Sequence, residues 1–203
     1  MAKAQENKER ARSTELSAGT GFTFEDAASA YYLSALLGEG YAPGIENRIV
    51  SRIAFQQRSF KEPLDDLVVD YRDAAGEPAR LSLQVKRTLT ISAVASNDDF
   101  REVIQNSWLT YQKDDFRKRA DRYGVAVGDV AKDKARALIS LCEKARESLT
   151  ASAFAARFAD GGDASAEVRT VRDDIANLLA LPDGRPRSMS DLHEFFAHWR
   201  SWI

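Results

Sequence analysis

The 203-residue chain has a single cysteine, Cys142, and only two histidines, His193 and His198. One cysteine excludes an internal disulfide, and the pair of histidines leaves too few soft ligands for a Cys/His zinc site. This usage reads as an intracellular, reduced protein, with Cys142 an inert thiol packed in the apolar run around Ala137 and Leu141. No apolar run approaches the length needed to span a bilayer, and the polar, mixed-charge stretch from Met1 to Ser17 lacks the apolar centre of a signal peptide. A cytoplasmic protein without membrane contact is therefore expected. Charge of one sign is also missing: 29 Lys and Arg against 31 Asp and Glu give a net charge of −2. A nucleic-acid binder is not advertised by that balance, although a local basic groove can sit on an acidic protein.

What is present is 44% apolar residues, enough for a hydrophobic core, and 30% charged residues. Residues 1–18 have little to bury and read as a polar leader. After Gly19-Thr20-Gly21, the segment Phe22 to Leu37 has helical spacing, with Phe24, Ala27, Ala28, Tyr31 and Ala35 forming a stripe that Leu33, Leu36 and Leu37 widen. Thr23 is placed to cap it, and Gly38 and Gly40 to end it. The period then changes to two. Ile49, Val50, Ile53 and Phe55 suggest one strand, Leu64 to Tyr71 a second, and Arg80 to Lys86 a third after the turn Asp73-Ala74-Ala75-Gly76. A long helix is predicted from Asp98 to Arg122, then a short buried strand Tyr123–Val127. Beyond Lys132 helical patterns dominate: Lys134–Leu149, Val168–Leu181 and Ser190–Trp202. The division expected is a leader at 1–18, a core at 19–130 and a helical extension at 131–203 packed on that core.

The third strand carries the chemistry. Leu81, Leu83 and Val85 share one face, and Ser82, Gln84 and Lys86 share the other. Seventeen residues separate Asp66 from Gln84, which two short antiparallel strands and a tight turn would fill. Asp66 can then lie beside Gln84 and Lys86. A carboxylate and a neutral amide oxygen suit a hard divalent cation, and an adjacent ammonium suits phosphodiester hydrolysis. Because glutamine contributes no negative charge, a further carboxylate is wanted, and Glu25 in the first turn of the first helix is the candidate. For Glu25 a plain role beside the helix dipole stands equally open, and Lys86 could instead extend its amine to solvent from the strand end. Asp65 reads as a strand-edge or supporting acid and Asp70 as part of the strand end. His193, His198, Phe196, Trp199 and Trp202 read as packing or interface residues. Lys113, Arg117, Lys118, Arg119 and Arg122 read as a solvated helix face interleaved with acids.

Gly21-Phe22-x-Phe24-Glu25, Asp65-Asp66-Leu67 and Leu83-Gln84-Val85-Lys86-Arg87 together resemble the PD-(D/E)xK restriction-endonuclease superfamily in its Q-x-K form. The resemblance spans Gly19 to Val127 and is closest to Mrr-like nucleases and to the double-stranded-DNA endonuclease domains of bacterial anti-phage effectors (CBASS effectors and STAND-type ATPases). One departure is that Pro63, not the residue before Asp66, supplies the proline. The resemblance implies an α/β fold, a restriction-endonuclease-like core of order αβββαβ with a mixed central sheet flanked by helices and a C-terminal helical extension. It implies Mg²⁺ (with Mn²⁺ as a substitute) held by Asp66, Gln84 and Glu25, and Lys86 assisting catalysis. It further implies double-stranded DNA as substrate, a role in anti-phage defence, and a homo-oligomer or a fused or partner sensor module. The alternative is a catalytically inactive nuclease-fold module that binds nucleic acid or mediates assembly.

Overall fold

A computed structural model describes residues 22–202. The leader and the Gly19–Gly21 break lie outside the described residues. Helix α1 spans Phe22–Leu37, so Thr23 falls inside the helix rather than capping it. Strands β1 (Ile49–Phe55), β2 (Leu67–Arg72) and β3 (Pro78–Thr88) follow, with a short 3-10 turn, Gln57–Phe60, between the first two. Helix α2 covers Asp98–Tyr111 and leads to β4, Arg122–Asp129. Helices α3 (Lys132–Glu147), α4 (Ala151–Ala156), α5 (Ala166–Leu178) and α6 (Met189–His198) come next, and β5 (Trp199–Trp202) closes the sequence of elements.

The fold is α/β, with a five-stranded mixed sheet in the order β1-β2-β3-β4-β5. β1, β2 and β3 run antiparallel, paired Ile49 with Arg72 and Leu67 with Leu83; β4 and β5 add in parallel, paired Leu81 with Arg122 and Tyr123 with Trp199. The turn Asp73–Gly76 joins β2 to β3 as the sequence implies: Gly76 sits at φ 84°, where a side chain would be strained, and the Asp73 carboxylate accepts from the Ala75 and Glu77 amides. Parallel pairing needs a crossover, which α2 supplies before β4 and the four later helices supply before β5.

Apolar alternation places a layer on each side of the sheet. Leu67, Val69, Leu81, Leu83 and Val85 pack with Ala28 and Tyr32 of α1. Tyr123, Val125 and Val127 join α2 and the C-terminal helices in a second cluster around Phe100, Leu138, Ile175 and Phe195. The face of α1 is rotated from the expected stripe. Tyr32 is buried and its hydroxyl donates to the Pro43 carbonyl, whereas Tyr31 and Leu33 are exposed. Since apolar residues surround this helix on every side, periodicity alone could not choose the buried face.

Three other expectations shift. The second strand begins at Leu67, so Asp65 and Asp66 precede it. The long helix ends at Tyr111, and Lys113 to Asp121 form a turn. Asp121 organises that turn, accepting from the Arg117 amide at 2.9 Å and the Arg80 amide at 2.8 Å. Lys113, Arg117, Lys118 and Arg119 are therefore turn residues rather than one helix face, and Arg122 opens β4. The extension from 131 onward is not all helix, because its last four described residues form β5. Gly124 admits this strand: a Cβ there would sit 1.6 Å from the Arg200 carbonyl oxygen.

Candidate active site at the junction of β2 and β3

Antiparallel pairing of β2 with β3 ends at Leu67 and Leu83. Just beyond it Asp66, still on the segment entering β2, turns its carboxylate toward β3. Its Oδ2 accepts from the Gln84 side-chain Nε2 at 2.5 Å and from the Val85 amide at 2.8 Å. The carboxylate thus takes the place of a backbone partner that the diverging strand no longer offers. Asp66 is half-buried, and burial pushes its carboxyl above the usual range. The Val85 and Gln84 hydrogen bonds and the Lys86 charge oppose that rise, while Asp65 adds to it.

Gln84 is buried, and its Oε1 has no hydrogen-bond partner. Asp65 is also buried; its Oδ1 is likewise unpartnered, while its Oδ2 lies 3.3 Å from Arg58 Nε. Two orphaned acceptor oxygens therefore flank Asp66. A buried acceptor without a donor costs on the order of 1–3 kcal/mol. The Trp108 and Trp199 indole N–H groups, far from Asp66 in sequence, are the other buried side-chain groups without a partner among the described residues.

Lys86 follows on the same strand face as Gln84. Its Nζ lies 3.2 Å from Asp99 Oδ1 and 3.7 Å from Glu102 Oε2, both in the first turns of α2. Glu102 also meets Arg58 at 3.4 Å, which links Lys86 through Arg58 to Asp65. Lys86 is near enough for its charge to act on both Asp66 and Glu25.

Glu25 is on the exposed side of the first turn of α1. Its carboxyl is nevertheless raised, first by desolvation at the groove wall, then by the Asp66 and Asp26 charges, with Lys86 opposing. Glu25, Asp26, Ser29, Leu33, Phe55, Gln56, Asp66 and Val85 line a groove of about 320 Å³. Gln84 and Lys86 are not among its lining residues. Asp66 thus meets Glu25 across the groove and Gln84 behind it.

The sequence-predicted set comes together in part: Asp66 with Gln84 by direct contact, Lys86 and Glu25 by electrostatic proximity. Among the described residues, no three His, Cys, Asp or Glu side chains form a group able to hold a metal ion. Any cation here would rely on the Asp66 and Glu25 carboxylates together with a neutral oxygen, and the unpartnered Gln84 Oε1 is of that type.

Sequence reasoning assigned no role to Arg58, Asp99 or Glu102. The two acids opening α2, Asp98 and Asp99, and the Asn97 cap that accepts from the Phe100 amide were visible as helix-start signals. That their carboxylates would meet Lys86 depended on α2 crossing the end of β3. Asp70 and the two histidines fall where expected. Asp70 stays within β2, paired to Arg80 at 2.7 Å and Arg52 at 3.0 Å. His193 and His198 bond backbone carbonyls, those of Ala145 and Ser148 and those of Glu194 and Lys118. Cys142 is buried, and burial pushes its thiol up to about 12, so no reactive thiolate forms near neutral pH.

No helix among the described residues is long and apolar enough to cross a membrane. The chain matches no family model, no curated protein and no solved structure.

Proposed function

We propose that this chain is a metal-dependent endonuclease of the PD-(D/E)xK type, acting on double-stranded DNA. The observation that carries the reading is the Asp66–Gln84 contact, with an orphaned Gln84 Oε1 behind it and the Lys86 ammonium and Glu25 carboxylate close by. The restriction-endonuclease-like core, α1 through β4, is part of this proposal. The order αβββαβ supports it, as does the placement of the polar residues where β2 and β3 diverge.

The proposed ion would sit between Asp66 and Glu25, with the Gln84 amide turned over so that its Oε1 rather than its Nε2 faces Asp66. Asp66 and Glu25 supply charge, and Gln84 supplies a neutral oxygen that has no other partner. Mg²⁺, or Mn²⁺ in its place, would polarise the scissile phosphate and lower the pKa of an attacking water. Asp66 is aimed by the Val85 amide, so its position depends on the β3 backbone rather than on a mobile side chain. Burial raises the carboxyls of both Asp66 and Glu25, and the Asp66 charge adds to the rise at Glu25, a cost that a cation would relieve. Lys86 places a positive charge beside the developing negative charge of the phosphate. Asp99 and Glu102 hold its amine in place. A defence role, with activation through a homo-oligomer or a fused or partner sensor, is part of the proposal and rests on the family resemblance alone.

One observation favours a second reading, a nuclease-fold module without catalysis: among the described residues no three acidic or imidazole side chains gather closely enough to hold a metal, and the Gln84 amide donates to Asp66. Incubating supercoiled plasmid with the full chain, with and without Mg²⁺, separates the two. The expected result is Mg²⁺-dependent nicking and linearisation, reduced at least ~10²-fold in Lys86→Ala and in Asp66→Asn. Mg²⁺-dependent cutting that persists in both variants would place the activity elsewhere, and no cutting by the wild type would leave the non-catalytic module.

A further inference from the structure

We propose that Arg122, Arg146 and Arg200 form a phosphate-binding site on the β4–β5 side of the sheet, apart from Asp66. Arg122 opens β4, and Arg200 sits on β5, paired beside Gly124. Arg146 comes from the last turn of α3. Asp66 bonds the amide of Val85, which pairs with Ala126 on β4. Along β4, Arg122 is four residues from Ala126, about 13 Å, and Gly124, which pairs with Arg200, is two, about 7 Å.

Each of the three guanidiniums is held by backbone carbonyls, not by acids. Arg146 Nη1 and Arg200 Nη1 both donate to the Trp199 carbonyl, at 3.3 and 2.9 Å, so the two side chains are neighbours. Arg200 Nη1 also reaches the Ala197 carbonyl at 3.2 Å. Arg122 Nη1 donates to the Asp121 carbonyl at 2.7 Å and the Lys118 carbonyl at 3.4 Å. In all three only Nη1 is engaged among the described residues, leaving Nε and Nη2, the edge that grips an oxyanion with two parallel hydrogen bonds.

Several other arginines meet carboxylates, Arg48 with Asp73, Arg80 with Asp70, Arg117 with Asp121 and Arg157 with Asp163, whereas Arg169 and Arg187 also bond backbone carbonyls. Among the described residues no carboxylate lies within ion-pair distance of Arg122, Arg146 or Arg200. Through space, Asp121 and then Glu46 offset Arg122, and Glu46 also acts on Arg200. The crowding is felt. Burial, then Arg146 and Arg122, hold Arg200 down to about 10. Burial, then Arg146 and Arg48, lower Arg122, against the pull of Asp121 and Glu46. Mutually repelling, partly desolvated cations need an anion more than exposed ones do. A helix-capping role explains the bonds of Arg200 to the end of α6. It does not explain why two further arginines crowd it.

Phosphate is the matching chemistry: compact, multiply charged, and rich in oxygens for guanidinium forks. It could come from a free phosphate compound or from a nucleic-acid backbone. The site does not depend on the nuclease reading, and its test uses no cleavage.

Thermal unfolding of the full chain in sodium phosphate, against sodium chloride at matched ionic strength with EDTA present, is the primary test. Phosphate at about ten times its Kd should raise Tm by about 3–6 °C. Arg146→Gln, at an exposed position, and Arg200→Gln should each lose that rise. Their phosphate-free Tm should hold or increase, because a repulsion has been removed. A wild type that melts identically in both salts overturns the proposal, as does a rise that survives in Arg146→Gln. Anisotropy with a short DNA duplex in EDTA separates the sources. Weaker binding and a shallower salt dependence in the glutamine variants identify a nucleic-acid backbone. Unchanged DNA binding with the phosphate rise lost identifies a free phosphate compound.

Discussion

Two acid-rich clusters lie at opposite ends of the β2–β3 hairpin, and they are solved in opposite ways. At the turn end, Asp70 meets Arg80 and Arg52, and Glu62 meets Arg80 at 3.1 Å and Lys113 at 2.9 Å. Burial pushes the Asp70 carboxyl up, but the hydrogen bonds and charges of Arg80 and Arg52 outweigh it and leave it low. At the diverging end, Asp66 has only amide donors in contact, its carboxyl is raised, and two buried oxygens beside it have no partner. Similar residues on the same two strands thus build a self-neutralised brace in one place and an unneutralised groove in the other. A fold gains nothing in stability from the second arrangement. Strain of that kind is what a ligand-binding centre carries. The cavity of about 280 Å³ lined by Glu62, Arg80, Lys113, Arg117 and Asp121 belongs to the first kind, since Arg80, Lys113 and Arg117 each already have an acid. Of its cations only Arg122, which opens β4, has none within ion-pair distance among the described residues.

The largest contrast should come from deleting a cation of the brace. Arg80→Ala leaves Asp70 and Glu62 partly buried with reduced compensation, and should cost about 2–3 kcal/mol in urea unfolding, below the figure for a fully buried pair. A loss under ~0.5 kcal/mol would show that the brace is a screened surface network. Asp66→Asn should move stability the other way. An acid whose folded pKa is raised weakens the fold as pH climbs past its unfolded value, so the neutral amide should match or exceed the metal-free wild type at pH 7, by up to about 1 kcal/mol. A clear fall in Tm would mean that the Asp66 charge is structural. Divalent ions then sharpen the difference: Mg²⁺ or Mn²⁺ should raise the wild-type Tm by a few degrees and leave Asp66→Asn unmoved. Equal shifts in both proteins would place the ion elsewhere. The smallest effect is on acid stability. Asp70 has a depressed folded pKa, so its contribution is complete above the ordinary carboxylate range near pH 4 and is lost as pH falls through the lower, folded value. Arg80→Ala should flatten the stability curve in that window, and an unchanged curve would assign the acid transition to other groups.

The residues that made the site legible were those with local rules. The alternation of Leu81, Leu83 and Val85 against Ser82, Gln84 and Lys86 fixed the faces of β3, and a tight turn at Asp73–Gly76 forced Asp66 toward Gln84. What stayed hidden involved partners far apart in sequence. Asp66 was expected inside a strand, but the strands part at Leu67, and only then is its carboxylate free to take the Val85 amide. The turn after Tyr111 was hidden because Phe116 continues a helical spacing, while the competing hydrogen bonds to Asp121 come partly from Arg80, on another strand. The arginine cluster was invisible for the same reason: Arg122, Arg146 and Arg200 are scattered in sequence and meet only when β5 docks.

By itself the sequence determined the α/β class, most element positions and the polar face of β3, because periodicity and turn chemistry act over a few residues. Only the tertiary structure decided which face of α1 is buried, that Trp199–Trp202 is a strand although Leu192, Phe195, Phe196 and Trp199 fit a helix, and that Asp99 and Glu102 hold Lys86. The physical reason is that those choices were settled by long-range partners: the open edge of β4 offered backbone hydrogen bonds that a further turn of helix could not use, and α2 brought its acids to a strand end that local pattern never mentions.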